Sequence, residues 1–137
     1  MTLSYGLTKQ LNLDLSHAFV SDFVSLSGDD APIHTNPDFA QSHGFKDILV
    51  HGAAIYSLIS GFFTKCIPGP DYFCLSVNVK FHKPLYITDS ITIVGVVEQL
   101  SEATGTASLS INVFSVDERL VCSAKSLHRI ISSLPSS

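Results

Sequence analysis

The order of apolar and polar positions divides the chain near Pro68 into a helical first part and a second part made of strands. In the first part, the segment HAFVSDFVSLSG places apolar residues at helical spacing, and Gly28 at its end is a suitable stop. The segment TNPDFAQSH starts with capping residues and a proline, which predicts a second, short helix. From Gly52 to about Lys65 the chain is apolar nearly all round, which is typical of a buried helix.

Four later segments show the alternation of β-strands. In YFCLSVNVKF every second residue from Phe73 to Phe81 is apolar, and the residues between them form the other face. The segments SITIVGVVEQL, TASLSINVFSV and RLVCSAKSLHRI have short connections, which predict antiparallel neighbours. With a further strand between Leu3 and Leu15, the pattern predicts one α+β domain over residues 1–137, an antiparallel sheet curled around one long helix. We expect residues 130–137 to form a frayed tail.

Composition narrows the class of protein. Hydrophobic residues make up 45% of the 137 residues and charged residues 15%, which is sufficient for a packed core. Eight basic and twelve acidic residues give a net charge of −4, which argues against a nucleic-acid-binding protein. Because Cys66, Cys74 and Cys122 lie in apolar segments without a CxxC pair, we expect reduced, buried thiols. The six histidines lack the spacing of a metal site, so we expect no metal.

The first residues and the longest apolar run indicate where in the cell the protein is expected. The first residues lack the basic region and long apolar run of a secretory signal. The stretch ILVHGAAIYSLISGFF is too short and too polar for a membrane span. The sequence therefore predicts a cytoplasmic protein that does not bind a membrane.

The segment GDDAPIH brings a carboxylate, Asp29, within five positions of an imidazole, His34. Gly28 and Pro32 disfavour a continuous helix here, and a loop can fold both side chains toward one point. A carboxylate beside an imidazole can hold a water, accept its proton and deliver a proton elsewhere. On these residue types alone, a helix cap followed by an Asx turn and a solvated His34 is the more common explanation.

A His-Gly pair, His51 and Gly52, begins the predicted buried helix. The first amides of a helix have no internal partner and lie at its positive end. Because Gly52 has no side chain, a carbonyl oxygen can approach its N–H, which would stabilise a developing enolate or oxyanion. Close packing of helix against sheet explains a glycine here equally well.

Together these segments resemble the MaoC-like, R-specific enoyl-CoA hydratases and dehydratases, whose signature runs Gly-Asp-x-Asn-Pro-aliphatic-His. Here the signature reads GDDAPIH, and the resemblance continues through FKDILVHGAAIYSLISG, IPGP and VNVKFHKPLYITDSITI. It covers Phe23 to Glu98 closely and the remaining strands in pattern. It implies the hot-dog fold, an α+β fold in which an antiparallel β-sheet wraps around a long central α-helix. It also implies a homodimer or a higher homo-oligomer.

The resemblance assigns roles to single residues. It implies that Asp29 and His34 are the catalytic pair and that the Gly52 amide forms the oxyanion hole. Ser60 matches a serine that supports the site in some members, although a helical serine bonded back to a carbonyl is an equal explanation. We expect His51 to support the site as well.

A basic cluster, Lys80, His82 and Lys83, stands out on this acidic chain. Lysines there would suit a CoA phosphate or an acidic acyl carrier protein. Solvated residues at the end of a strand are an equally good explanation.

The implied reaction is reversible addition of water across the trans-2 double bond of an acyl-CoA or acyl-carrier-protein thioester, giving the R-3-hydroxyacyl product. We expect no cofactor, because CoA or phosphopantetheine enters as part of the substrate. The Asn of the family signature is Ala31 here, so an amide that would help to hold the loop or the thioester is missing. Two alternatives stay open: an acyl-CoA thioesterase of the same fold, which would use an acid near the helix, and a non-catalytic acyl-thioester-binding subunit.

Overall fold

The fold consists of one antiparallel sheet and one long helix, preceded by three short helices. The computed structural model describes residues 3–68 and 71–131. The elements are β1 Thr8–Asp14, α1 His17–Ser27, α2 Pro32–Thr35, α3 Pro37–Ser42, α4 Gly52–Cys66, β2 Tyr72–Phe81, β3 Ser90–Ser101, β4 Thr106–Ser115 and β5 Leu120–Ile130. The strands lie in the order β1-β3-β4-β5-β2, each antiparallel to its neighbours. The predicted α+β architecture is confirmed, and β1 and β2 are the edges of the sheet.

Helix α4 packs against one face of this sheet. Strand β4, and β3 as far as Glu98, alternate between buried and partly exposed residues, so one face of each strand meets the helix. Phe62 of α4 is fully buried and occupies the space that a side chain at Gly95 would need, since a Cβ there would lie 2.5 Å from the Phe62 ring. The face of α4 away from the sheet is exposed at Ala53, Ser57, Ser60 and Thr64. The helix is thus buried only on the side that faces the sheet. This differs from the sequence prediction, which was a buried helix that is apolar nearly all round.

The short helices begin and end where their capping residues predict. Ser16 accepts a hydrogen bond from the Phe19 amide at the start of α1, and Gly28 ends the helix with φ +76°. The Asn36 side chain accepts from the Phe39 amide at the start of α3. The segment between these helices was predicted to be a loop, but it contains the single helical turn α2, which starts at Pro32. A proline in the first turn removes an amide that has no partner there and fixes a helical φ.

The predicted alternation along β2 is wrong in its first part. A β-bulge between Cys74 and Ser76 shifts the register, so that Cys74 pairs with the buried His128 and Phe73 pairs with Arg129. Because cross-strand partners share a face, Cys74 lies on the helix-facing side and Phe73 on the outer side. An extra residue in one strand reverses which residues face the core, and the apolar pattern gives no sign of it.

The sequence also made predictions about the burial of the cysteines and about the C-terminal end. All three cysteines are free thiols, and Cys122 is buried, but Cys66 is half-buried and Cys74 is exposed, so general burial was a wrong expectation. At the predicted frayed end, the Ile131 amide donates to the Asp71 carbonyl at 2.8 Å, while residues 132–137 lie outside the described part. Among the described residues, no helix is long and apolar enough to cross a membrane.

Candidate active site

The first amide of α4 is free to bind a ligand. The Ile48 carbonyl, four residues before Gly52, accepts from the Ile87 amide instead. His51 at the N-cap position makes no side-chain capping bond. The Gly52 N–H therefore has no hydrogen-bond partner among the described residues, and it lies at the positive end of a 15-residue helix.

Gly52 is also favoured by packing. A Cβ at this position would lie 2.8–3.2 Å from three ring atoms of Phe81, the last residue of β2. A side chain at position 52 would have to displace the Phe81 ring, which is 52% exposed, so the packing explanation of Gly52 holds. It does not exclude the other explanation, because the Phe81 ring contacts the Cα side and the N–H keeps its free hydrogen. A cavity of about 440 Å³ opens beside both residues and extends to Lys83.

His34 is held in one orientation by the backbone. Its Nδ1 lies 2.8 Å from the Leu49 carbonyl oxygen. Because a carbonyl only accepts hydrogen bonds, Nδ1 must carry the proton, which leaves the lone pair of the neutral ring on Nε2. The Leu49 amide in turn donates to the Ile33 carbonyl at 3.1 Å, so α2 is fixed to the segment before α4. His34 thus presents a nitrogen that can accept a proton.

Asp29 lies next to His34, outside α2. One carboxylate oxygen accepts a 3.3 Å bond from the Ala31 amide, which is an Asx turn. A carboxylate oxygen of Asp29 and a ring nitrogen of His34 lie within 4.8 Å of each other. Two hydrogen bonds of about 2.8 Å at a tetrahedral angle span about 4.6 Å, so a separation within this limit allows one water bonded to both. Asp30 is exposed, and its main chain accepts from the Thr35 hydroxyl and donates to the Gly28 carbonyl.

His51 contacts both members of this pair. Its ring stacks on the His34 ring, with centroids 3.8 Å apart and planes inclined by 21°. Its Nε2–H donates to the Asp29 main-chain carbonyl at 2.9 Å, and Phe23 packs against its other side. The side chain is 2% exposed, and its Nδ1 has no partner among the described residues. Burial and stacking therefore make His51 a rigid support beneath His34 and the Asp29 backbone.

Asp29, His34 and His51 are close enough together to raise the question of a metal ion. A metal bound by imidazole lies in the ring plane at about 2 Å from nitrogen. Two rings stacked 3.8 Å apart and inclined by 21° have planes that meet far beyond that distance. One ion cannot lie in both planes unless the stack is broken, so the arrangement does not fit a metal held by both histidines.

The other predicted residues are separated from one another. Ser60 lies on the exposed face of α4, two turns from Gly52, and its hydroxyl makes no hydrogen bond within the described ranges. In α4 it is Ser57, three residues before Ser60, whose hydroxyl bonds back to a main-chain carbonyl, that of Ala54 at 2.6 Å. Lys83 lines the cavity beside Gly52, whereas Lys80 lines a polar groove on the outer face of the sheet. The intervening His82 bonds the Ser123 hydroxyl at 2.7 Å.

Two contributors left no signal in the sequence. The Leu49 carbonyl, which fixes the His34 tautomer, is a main-chain group that any residue type supplies. Phe81 was counted only as one apolar position of a strand, and its contact with Gly52 joins residues 29 positions apart. The first acts through the main chain, and the second acts through a ring contact between segments that only folding brings together.

Comparison with known proteins identifies the family. A model of the MaoC-like domain family matches residues 5–115. An (R)-specific enoyl-CoA hydratase from Aeromonas caviae is 31% identical over 114 residues, which are 83% of this chain and 85% of that protein. A 3-hydroxybutyryl-CoA dehydratase from Methylorubrum extorquens is 29% identical over 128 residues, 93% of this chain and 81% of that one.

The solved structure of the (R)-hydratase from A. caviae involved in PHA biosynthesis has the same fold. Its TM-score is 0.88 at 28% sequence identity, and the match covers 95% of this chain and 98% of that one. The helix and five-stranded sheet are therefore a hot-dog fold. With the family match over residues 5–115, the chain belongs to the MaoC-like domain family.

Proposed function

We propose that the protein is an R-specific enoyl-thioester hydratase, which adds water to, or removes it from, a trans-2-enoyl-CoA or acyl-carrier-protein thioester. The observation that carries the proposal is the Asp29–His34 pair, in which the ring is fixed through Nδ1 and Nε2 has no hydrogen-bond partner in residues 3–68 and 71–131. The Gly52 amide, next to His51 and likewise without a partner in those residues, supports it. The names of the relatives, R-specific enoyl-CoA hydratase and 3-hydroxybutyryl-CoA dehydratase, support the same reaction.

In the hydration direction, Asp29 and His34 hold one water between them. As its oxygen bonds to C3, one of the pair accepts a proton from the water, and the C2–C3 double bond opens toward the thioester. The Gly52 N–H donates to the carbonyl oxygen, which carries the negative charge of the enolate. The pair then returns a proton to C2, so that one water has been added and the residues are restored.

Lys83 and the cavity beside Gly52 suit the polar end of the substrate. Lys83 is exposed at the mouth of this cavity, where an ammonium group can meet a phosphate of CoA or an acidic carrier protein. Lys80 lies on the opposite face of the sheet, and we assign it no contact with the same phosphate.

We also propose that the working unit is a homodimer. The edge strand β2 exposes Phe73, Leu75, Val77 and Phe81, each at 37–52% of its surface. An apolar edge strand with free backbone groups is a surface on which another strand can pair. Sedimentation at several concentrations tests this, and a monomer at micromolar concentration would contradict it.

The thioesterase alternative has less support. Hot-dog thioesterases use an acid near the central helix. The first turn of α4 carries none, and the acid beside its N-cap, Asp29, lies next to the imidazole of His34, which is the pair that hydration needs. The discriminating experiment follows a trans-2-enoyl-CoA in two assays, loss of the enoyl absorbance and release of free CoA thiol. We expect absorbance loss without thiol release. Thiol release at the same rate would mean hydrolysis, and tight binding with neither signal would mean a non-catalytic subunit.

A further inference from the structure

A short antiparallel pairing joins residues 48–50 to residues 85–87, with Leu49 opposite Tyr86. Its hydrogen bonds, of 2.8 and 3.2 Å, lie on either side of this central pair. In an antiparallel pairing, residues that lie between two such bonds direct their own amide and carbonyl groups away from the partner segment. The backbone groups of Leu49 and those of Tyr86 therefore point in opposite directions.

On the Leu49 side, these backbone groups meet α2. The Leu49 amide donates to the Ile33 carbonyl at 3.1 Å, and the Leu49 carbonyl oxygen lies 2.8 Å from Nδ1 of His34. The position of Leu49 thus determines where the His34 ring lies and which ring nitrogen carries the proton.

On the Tyr86 side, the backbone groups meet Asp89. A carboxylate oxygen of Asp89 accepts from the Tyr86 amide at 2.9 Å, and the Asp89 amide donates to the Tyr86 carbonyl at 3.0 Å. Tyr86 is 8% exposed, and the Asp89 side chain is 12% exposed. Removal of the carboxylate would leave an amide of a buried residue without its acceptor, which is costly enough for the segment to shift.

Asp89 is itself held from two further directions. Its carbonyl accepts from the Leu15 amide, just after β1, at 3.0 Å. The Arg119 guanidinium, in the turn between β4 and β5, lies 3.9 Å from the carboxylate oxygen that accepts from Tyr86. Arg119 also donates to the Asp117 carboxylate at 3.4 Å. Asp89 thus ties residues 85–87 to two other parts of the sheet.

We propose that Asp89 is a positioning residue for the proposed reaction: it fixes Tyr86, and through the facing Leu49 it sets the orientation and tautomer of His34. This inference rests on the proposed hydratase function. The effect of Asp89 passes through main-chain groups, so its loss should disturb the imidazole and spare the contacts that bind substrate. An aspartate that only stabilises its own turn would have neither effect on His34.

The first test compares kcat and KM for crotonyl-CoA hydration. Asp89→Ala should lower kcat by about tenfold and keep KM within about threefold, because a displaced base slows the chemical step more than binding. Asp89→Asn keeps an oxygen that can accept from the Tyr86 amide and should keep kcat within about threefold of the wild type. Asp117→Ala, which removes the other acid beside Arg119, is the matched control and should change neither constant by more than about twofold.

The second test observes the His34 ring directly. The protein is labelled with ¹⁵N-histidine, and the ring signals of His34 are assigned by their loss in His34→Ala. At about pH 8.5, where histidines are neutral, the wild type should show the proton on Nδ1. Asp89→Ala should move these signals toward a mixture of the two tautomers, and Asp89→Asn should leave them in place.

The wild-type spectrum can overturn the inference without any variant, since a His34 proton on Nε2 would contradict it. A folded Asp89→Ala protein with unchanged kcat and unchanged His34 signals would also overturn it, even if its melting temperature fell. If Asp89→Ala does not fold, Asp89→Glu takes its place, because it keeps the charge beside Arg119 and moves the carboxylate by one bond. It should lower kcat by about threefold or more, and unchanged kcat and signals would overturn the inference.

The two tests also separate this inference from the function on which it rests. A wild type that does not hydrate crotonyl-CoA or longer enoyl thioesters would overturn the proposed function. The His34 signals of the wild type and of the Asp89 variants would still show whether Asp89 positions the ring. Hydration by the wild type with no response of His34 to Asp89→Ala would leave the hydratase standing and remove Asp89 from its mechanism.

Discussion

Two buried histidines lie at opposite ends of the central helix, and they look alike until their neighbours are compared. His51 and His128 are each 2% exposed, and in each the buried Nδ1 has no partner among the described residues. His51 stacks on His34 and bonds the Asp29 backbone, whereas His128 bonds the Ser126 hydroxyl. Burial and an unpaired nitrogen therefore do not identify a functional histidine.

The surroundings of His128 fit a structural group. The rings of Phe63 and Tyr72 contact it edge-on, at centroid distances of 4.6 and 5.5 Å. Tyr72 directs its own hydroxyl to the carbonyls at the end of α4. No carboxylate joins this cluster within the described ranges, whereas the cluster around His51 includes Asp29 and opens to solvent. We therefore assign the proposed chemistry to the end of the helix where a carboxylate and two imidazoles lie beside the first amide of α4.

The largest loss of activity should come from substituting Asp29 or His34, the pair that distinguishes the His51 end of α4 from the His128 end. Asp29→Asn and His34→Ala should each lower kcat for enoyl-CoA hydration by about 10²–10⁴-fold, the usual contribution of a general acid–base group. The double variant should lose little more than either single one, because both residues act on one water. Size and melting temperature should stay near those of the wild type. Near-normal kcat in either folded variant would remove that residue from the mechanism.

The next effect tests the two buried histidines directly. His51→Ala removes both the stack under His34 and the bond to the Asp29 carbonyl, so we expect kcat to fall by about 10- to 100-fold with a smaller change in KM. His51→Phe keeps a ring beneath His34 and should recover part of the loss. His128→Phe is the matched control and should keep kcat within about threefold. Equal losses of kcat in folded His51→Ala and His128→Phe proteins would contradict the comparison.

A smaller effect is expected at Ala31, the departure from the family signature. Ala31 is the N-cap of α2 and makes no side-chain bond to the turn that carries His34. An asparagine there can accept from an amide of that turn, and one such bond contributes about 0.5–1.5 kcal/mol. Ala31→Asn should therefore raise kcat/KM for a short straight substrate by a few-fold. A fall in activity on straight substrates, with branched ones spared, would mean instead that Ala31 makes room for a branched acyl group.

The last prediction concerns stability and applies to the other histidine. Burial lowers the pKa of His128, so the folded protein holds it neutral. The unfolded chain binds a proton there below about pH 6.5, so His128 should destabilise the fold as the pH falls through that value, with no such loss above it. The melting temperature should drop more between about pH 7 and pH 5 in the wild type than in His128→Phe. Parallel curves for the two proteins would mean that His128 does not contribute.

Much of the fold was predictable because its signals are local. The caps at Ser16, Gly28 and Asn36 fix the short helices, and the alternation of β3 and β4 fixes their buried face. The bulge at Cys74 and the strand order were not predictable, because both depend on pairing between distant segments. The same limit applied to the α2 turn, which tertiary contacts with Leu49 hold in place.

The candidate site, like the fold, has one part that the sequence predicts and one part that it does not. Asp29, His34 and Gly52 were found by the spacing of their residue types together with a family resemblance. Their joint geometry depends on the Leu49 carbonyl and the buried His51 ring, and no pattern of side chains encodes a main-chain acceptor. The roles of Ser60 and Lys80 stay predictions, since Ser60 lies on the exposed face of α4 and Lys80 lines a groove on the outer face of the sheet.

The stereochemistry of hydration tests the central claim most directly. The protein is incubated with crotonyl-CoA, and the product is coupled in parallel to an R-specific and to an S-specific 3-hydroxyacyl-CoA dehydrogenase. Because the Asp29–His34 pair holds water on one face of the enoyl group, we predict a signal only with the R-specific enzyme, and its loss in Asp29→Asn and His34→Ala. A strong signal from the S-specific enzyme, or a signal that survives both substitutions, would contradict the account.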